Sequence, residues 1–576
     1  MKKTLLTILA AAAMLAGCSQ NAPTPEKEDT RSWQRALFED GNYAMFIHFG
    51  LFSNYEGVWD GTTYRGCAEW IMRQANVSPE EFMSRANTFN PSEFDGRAIA
   101  QLAKDAGMKY IVITSKHHEG FAMFDSEASD FNIVDATPCG RDLIGELADA
   151  CHELGIGIGI YYSQFGDWTT PGSTSGPKTD ADGRPVSFEE YFRTKCVPQV
   201  EEITTKYGDL EMVWFDAPGK IGPEYSKELV DLVHKNQPGC LVSSRVGNGM
   251  GDFKSGGDME IPTSNRPGLW EAIDVTQVGW GYSRNDPEWK SPEYILKNLL
   301  SIIARGGTYM LNVGPDHLGR IHEEAAKPLL KVGEWIRKYP QAVYGAGPSP
   351  WGHALQWGDA VSQEGKLYLL VYDWPTSGVL EVPGLKTRIA KARIYGGRKL
   401  KVKQDGSGAV LSVPGVAPEE MVSVIELTLS GEPEADSTYT VIKGYPTVIS
   451  ATWASSKGCD NGGIYSEPVR FGEWVSRVGL SKIENGAEAT WTVDIPDAGY
   501  YDVDIDIRGE GLLELAITTD EGYSITNRQM AYNVFTWTRC GWIHFDKPGR
   551  HTLTLSFPDP APSLALTDLR ITPVIK

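Results

Sequence analysis

The sequence has no two cysteines in CxxC spacing, no long apolar run beyond its first 17 residues, and a shortage of positive charge. Each absence excludes a class of function. Seven cysteines follow Cys18, namely Cys67, Cys139, Cys151, Cys196, Cys240, Cys459 and Cys540. An odd number without metal-ligand spacing argues against a zinc ribbon and a full disulfide framework, while leaving room for one or two disulfides. Without a later apolar run of about 18 residues, no membrane-spanning helix is expected. Lysine and arginine number 54 against 75 aspartate and glutamate, and the formal charge of −21 repels nucleic acid and anionic lipid surfaces. An HExxH helix is missing as well, so no metal is expected, and nothing calls for a cofactor.

What is present begins with a targeting segment. Lys2 and Lys3 precede an apolar stretch from Leu5 to Leu15, which ends in Leu15-Ala16-Gly17-Cys18. This resembles a bacterial lipobox and implies an exported lipoprotein, periplasmic or on the cell surface, anchored through lipid on Cys18. Residues 1–17 are then a signal peptide and 18–30 a polar tether. The remaining length exceeds one core, and three or so domains are expected.

From Trp33 to about Tyr344, strand-like and helix-like segments alternate, the pattern of βα units around a parallel sheet. Tyr43 to Phe49, Lys109 to Thr114, Gly155 to Tyr162, Leu210 to Phe215, Cys240 to Ser244 and Thr308 to Val313 are nearly continuous apolar runs. Such runs fit strands covered on both faces. Helical stretches fall between them at Ala98 to Ala106, Leu143 to Leu154, Phe188 to Tyr207 and Ser226 to Lys235. The fold expected is α/β, a (β/α)8 TIM-like barrel over 31–345, with two strands still to be found between Asp252 and Gly281. After the helix Glu323 to Tyr339, short alternating runs predict two all-β sandwich domains, 346–432 and 436–576.

Polar residues cluster where barrel active sites are built. His48, His117, His118, Tyr161, Asp216 and Arg245 each fall at or just after a strand end. Asp216 closes the apolar run Met212-Val213-Trp214-Phe215, so its carboxylate faces either a cation or a working cleft. Cleavage of a glycosidic bond needs a second carboxyl, and Asp258, Glu260 and Glu271 are the candidates. Spacing alone does not choose among them. The histidines and Arg245, alongside Trp70 and Trp214, suit sugar hydroxyls better than a metal.

Those residues also carry a resemblance. Ile47-His48-Phe49-Gly50, Ala68-Glu69-Trp70, Lys116-His117-His118-Glu119-Gly120-Phe121, Gly159-Ile160-Tyr161-Tyr162-Ser163, Trp214-Phe215-Asp216 and Trp280-Gly281-Tyr282 occur in this order. Over about residues 33 to 430 the set resembles glycoside hydrolase family 29, the retaining α-L-fucosidases. The resemblance implies Asp216 as nucleophile and a fucose subsite lined by His48, Glu69, Trp70, His117, His118, Tyr161, Trp214, Arg245 and Trp280. Tyr162 competes with Tyr161, since neighbouring strand residues face opposite sides. Lying 42 positions after Asp216, Asp258 best resembles the family's acid/base, with Glu260 second and Glu271 third. Ala217 departs from the glycine that many relatives carry after the nucleophile.

The partners implied are fucosylated oligosaccharides or glycoconjugates, with membrane contact only through the lipid anchor. Two other classes compete. One is a non-catalytic, lectin-like fucose binder, disfavoured by the presence of Asp216 and a plausible acid. The other is a metal-dependent hydrolase using His117, His118 and Glu119, disfavoured because adjacent residues at a strand end are expected to point different ways. The C-terminal block holds Trp453, Tyr465, Trp474, Trp491, Trp537 and Trp542. It is similar in outline to β-sandwich carbohydrate-binding modules, although core packing is the commoner use of such rings.

Overall fold

The computed structural model describes residues 32–443, 446–468 and 474–574. The signal peptide, Cys18 and tether read from the sequence therefore lie outside the described residues.

Eight parallel strands form the first sheet: β1 (Tyr43–Ile47), β2 (Tyr110–Lys116), β3 (Gly157–Ser163), β4 (Met212–Asp216), β5 (Leu241–Val242), β6 (Lys254–Asp258), β7 (Trp270–Val275) and β8 (Thr308–Val313). The two strands missing from the sequence reading are β6 and β7, inside the interval expected. Sequential strands pair, and β8 returns to pair with β1. Between β5 and β6 the seam closes through a single parallel bridge, Ser243 to Phe253. Alternation along each strand splits the apolar side chains into two layers. Tyr43, Met45 and Ile47 face the surrounding helices, whereas Ala44 and Phe46 join Val112, Tyr161, Trp214, Ile273 and Met310 inside the barrel. The interior is thus a packed core that also takes in the buried carboxyl of Glu271, while the polar residues of the strand ends gather at one end.

Helix ends follow their sequence signals. Asp142 caps Leu143–Leu154 by accepting from the Gly145 N–H, and Gly155 ends that helix in the left-handed conformation. The stretch expected as one helix from Phe188 to Tyr207 is Phe188–Tyr191, a π turn over Phe192–Cys196, and Val197–Thr205. Pro198 explains the interruption, because it offers no N–H to the preceding turn.

Two β-sandwiches follow. The first pairs a four-stranded sheet (Gly358–Gln363, Lys366–Val371, Ser423–Leu429, Ile389–Ile394) with a three-stranded one (Val379–Pro383, Gly408–Ser412, Lys401–Asp405). It is tied to the barrel by the buried pair Arg305 and Asp359 at 2.8 Å. The second has two six-stranded sheets and its own core around Trp491, Ile505, Leu515 and Leu555. All seven described cysteines are free thiols, so the one or two disulfides that the count allowed do not form.

Candidate active site

The polar residues expected at strand ends converge at one end of the barrel. Asp216 is the last residue of β4. Its Oδ2 accepts from the Tyr161 hydroxyl at 2.9 Å and lies 3.6 Å from His118 Nε2, and its Oδ1 lies 3.2 Å from Arg245 Nη1. Gln164 Oε1 accepts from the Asp216 backbone N–H at 2.8 Å, fixing the strand end. Burial alone would raise the pKa of Asp216. The Arg245 cation, His118, the Ala217 N–H and the Tyr161 hydroxyl outweigh that and hold the carboxyl below the ordinary carboxylate range.

Arg245 sits in a 3-10 turn just after β5 and bridges two strands. One arm meets Asp216; the other donates to Asp258 Oδ1 at 2.5 Å and to the Gly256 carbonyl at 3.0 Å. Its guanidinium lies 4.9 Å from the centre of the Trp214 ring. Neighbouring nitrogens of one planar group therefore hold Asp216 and Asp258 across a shared space.

The other two acid candidates point elsewhere. Glu260, nearly fully buried, pairs with Arg266 and accepts from the Gly257 N–H at 2.9 Å. Glu271, the second residue of β7, lies deep in the barrel, where it accepts from the Trp214 indole N–H. Burial pushes its pKa up to about 7. Neither shares the space between Asp216 and Asp258.

Around that space stand the remaining expected residues. His48 Nδ1 is 2.8 Å from Asn312 Oδ1, leaving Nε2 for other partners, and its ring lies 5.0 Å from Trp280. Tyr161 stacks on Trp214 at 5.4 Å inside the barrel, while Tyr162 points outward to Gln199, which decides between the two tyrosines. His117 and His118 were expected to diverge, yet their rings lie 4.1 Å apart. The strand ends at Lys116, so its alternation no longer governs them. Burial holds His117 and His118 down to about pKa 3 and His48 well below its usual value, so all three are neutral near pH 7. His118 Nδ1 bonds Ser163 Oγ at 2.7 Å. Glu69 accepts from the Gly281 N–H at 2.8 Å, and burial raises its pKa to about 7. Trp70, 42% exposed, forms the rim beside His118.

Several neighbours escaped the sequence reading. Trp168 follows β3 and packs 5.0 Å from Trp70 and 5.7 Å from His118. Gln164 and Asn312 orient Asp216 and His48. The available signal for Asn312 was a polar residue inside the apolar strand Thr308–Val313. Trp168 offered no signal beyond its place in a loop at this face. His117, His118 and Glu119 do not form a group suited to hold a metal among the described residues; the one such group is Glu56, Asp316 and His317, where Arg284 and Arg320 already pair with the carboxylates.

Comparison with known proteins agrees with this geometry. The sequence model of the family described as Alpha-L-fucosidase matches residues 9–341. An alpha-L-fucosidase of Dictyostelium discoideum is 26% identical over 461 residues, covering 73% of this chain and 97% of the relative. The crystal structure of an alpha-L-fucosidase from a Vibrio strain superposes with a TM-score of 0.76 at 27% identity, covering 93% of this chain and 97% of the other. A trapped covalent intermediate of a Bacteroides thetaiotaomicron alpha-L-fucosidase, with 2-fluoro-fucosyl fluoride, gives 0.64 at 27% identity over 70% and 97%. With over half its length matched by the family model and its barrel carrying the family's motifs around one pocket, this chain belongs to the alpha-L-fucosidases of glycoside hydrolase family 29 and is a glycoside hydrolase.

Proposed function

We propose that this enzyme releases L-fucose from the ends of fucosylated glycans with retention of configuration, with Asp216 as nucleophile and Asp258 as acid/base. The observation that carries the assignment of the pair is the single guanidinium of Arg245 contacting both carboxylates. A retaining pair needs a separation of roughly 5–5.5 Å, and two carboxyls spanned by one guanidinium are in that neighbourhood. Held ionised by its partners, Asp216 attacks the anomeric carbon as Asp258 protonates the departing glycosidic oxygen. Water, deprotonated by Asp258, then releases fucose from the fucosyl-aspartate. Neutral His48, His117 and His118 can each donate or accept toward sugar hydroxyls, and Trp70 and Trp280 offer ring faces to the sugar.

Azide rescue tests both roles. Asp216→Ala should lower kcat by on the order of 10³-fold or more, with azide giving β-fucosyl azide. Asp258→Ala should be rescued with the α product. Exchange of these outcomes would reverse the assignment, and rescue of neither would remove it.

Export as a lipoprotein anchored at Cys18 is a second part of this reading, supported by the Leu15-Ala16-Gly17-Cys18 pattern. Cys18→Ala should move the protein from the membrane fraction to the soluble one and abolish palmitate labelling; unchanged fractionation and labelling would sink it.

A further inference from the structure

Two crossovers of the barrel are too short to carry a covering helix. Residues 243–253 join β5 to β6 with one 3-10 turn, and residues 259–269 join β6 to β7 with no helix. Parallel barrel strands normally have their outer faces covered by the crossover helices. The outer face of β6 is covered instead by the C-terminal sandwich, through the hairpin Asp460–Pro468 and Trp474–Ser481. A Cβ added to Gly257 would meet Ser476 Cβ at 2.6 Å and Ile464 Cγ2 at 3.0 Å, so the absence of a side chain there lets the hairpin sit directly on the strand. Ser466 and Ser476 are cross-strand partners with their hydroxyls 2.8 Å apart, and Ser476 is buried. Further contacts hold the sandwich in place. Ser264 and Thr452 hydroxyls lie 3.3 Å apart beside β6, and the His353 ring stacks on Tyr439 at 3.8 Å. β6 carries a bulge against β7 between Ser255 and Asp258, so the facing of its last residues is given by their contacts rather than by simple alternation. Gly257 faces the hairpin, and the next residue, Asp258, faces the pocket and Arg245.

We propose that the C-terminal sandwich takes the place of the missing barrel helix and positions Asp258 for proton transfer, with Ser476 and Ile464 as positioning residues. The sandwich is on this account a working part of the catalytic unit rather than an appended module. The inference rests on Asp258 being the acid/base. Its signature follows from the chemistry. A sugar alkoxide is a poor leaving group and needs the proton that Asp258 gives, whereas 2,4-dinitrophenolate departs almost unaided. Displacing Asp258 should therefore slow one substrate far more than the other.

The test uses the full chain and compares kcat/KM for a fucosylated oligosaccharide and for 2,4-dinitrophenyl α-L-fucoside. Ser476→Trp, which wedges the hairpin away from Gly257, should lower the first by about tenfold or more and the second by less than about threefold, because proton-transfer geometry is lost while nucleophilic attack is kept. Half-exposed Ile464 allows a milder variant, Ile464→Ser, which should show the same split at smaller amplitude should the tryptophan variant fail to fold. Equal losses on both substrates, or no loss on either in a folded variant, overturn the inference. Asp258→Ala is measured beside them: without a strong split there, the acid/base assignment itself fails, and wild-type protein releasing fucose from neither substrate would sink the proposed function instead.

Discussion

Ala217 and Met259 have backbone φ of 53° and 54°, and each directly follows one of the two carboxylates. The chain must leave its strand and reverse at both points, and a residue other than glycine in this region costs roughly 1–2 kcal/mol. At Ala217, where many relatives have glycine, the turn that glycine would adopt is kept despite the added methyl. Glu271 illustrates a different residue-scale cost. Its Oε1 accepts from Trp214, but Oε2 is buried without a partner, and burial raises the pKa to about 7. A folded pKa above the unfolded value of about 4.3 means that stability is fully present below the unfolded value and is lost as pH rises through about 7. Glu271→Gln should remove that dependence. Its melting temperature relative to wild type is expected to be more favourable at pH 8 than at pH 5, with activity reduced by less than about tenfold because Asp258 supplies the proton. A pH-independent difference would contradict the burial argument, and activity as low as that of Asp258→Ala would contradict the acid/base ranking.

At the scale of elements, the π turn at Phe192–Cys196 places Lys195 where a regular helix would not. Lys195 Nζ lies 2.9 Å from Asp167 Oδ2 and 2.7 Å from Thr170 Oγ1, and Lys116 approaches the same carboxylate at 3.4 Å. This buried triad pins the loop after β3 that carries Trp168 to the pocket rim. Burial by itself would raise the pKa of Asp167, but Lys195 and Lys116 pull it below the ordinary range. Lys195→Met should destabilise the protein by about 3 kcal/mol or more, since a buried charge loses its nearest partner. A depressed folded pKa gives stability that is present above the unfolded value, about 3.9, and lost as pH falls, so the deficit of the variant should shrink in acid. Denaturant titrations at pH 7 and at about pH 3, below the unfolded value, measure this. A constant deficit would show that packing, not charge, holds the loop.

Across the whole molecule, each sandwich has its own apolar core, the first sandwich also packs Val361, Tyr368 and Leu370 into the barrel's outer layer, and the C-terminal sandwich meets the barrel at the strand bearing Asp258. Of the aromatic residues there, Trp491 fills the core and donates to the Ser450 carbonyl, and Trp453 packs against His353 at the junction. Trp537 and Trp542 are exposed on one strand, beside Arg570 and Arg539. On the expectation that a sandwich similar in outline to carbohydrate-binding modules binds glycan, these are the exposed rings that would stack on sugar. The double variant Trp537→Ala and Trp542→Ala in the full chain should weaken retention on immobilised fucosylated glycan by about tenfold, given about 0.5–1.5 kcal/mol for each ring, with turnover of a small aryl fucoside unchanged. Wild-type retention equal to that of the variant would end the idea.

The sequence by itself determined the barrel and its catalytic face, because continuous apolar strands at regular spacing and polar residues at their ends are local patterns. It also supplied Asp216, whose place at the end of β4 follows from an apolar run closing in an acid. Tertiary structure alone decided which second carboxyl meets Asp216 across Arg245, since Asp258, Glu260 and Glu271 lie within 14 positions and differ only in where their side chains lead. It likewise decided that Tyr161 rather than Tyr162 faces inward, that both neighbouring histidines share one pocket, and that a sandwich some 200 residues downstream backs β6. Contacts of that range leave no periodic trace in a sequence, because they depend on surfaces that exist only once both partners have folded.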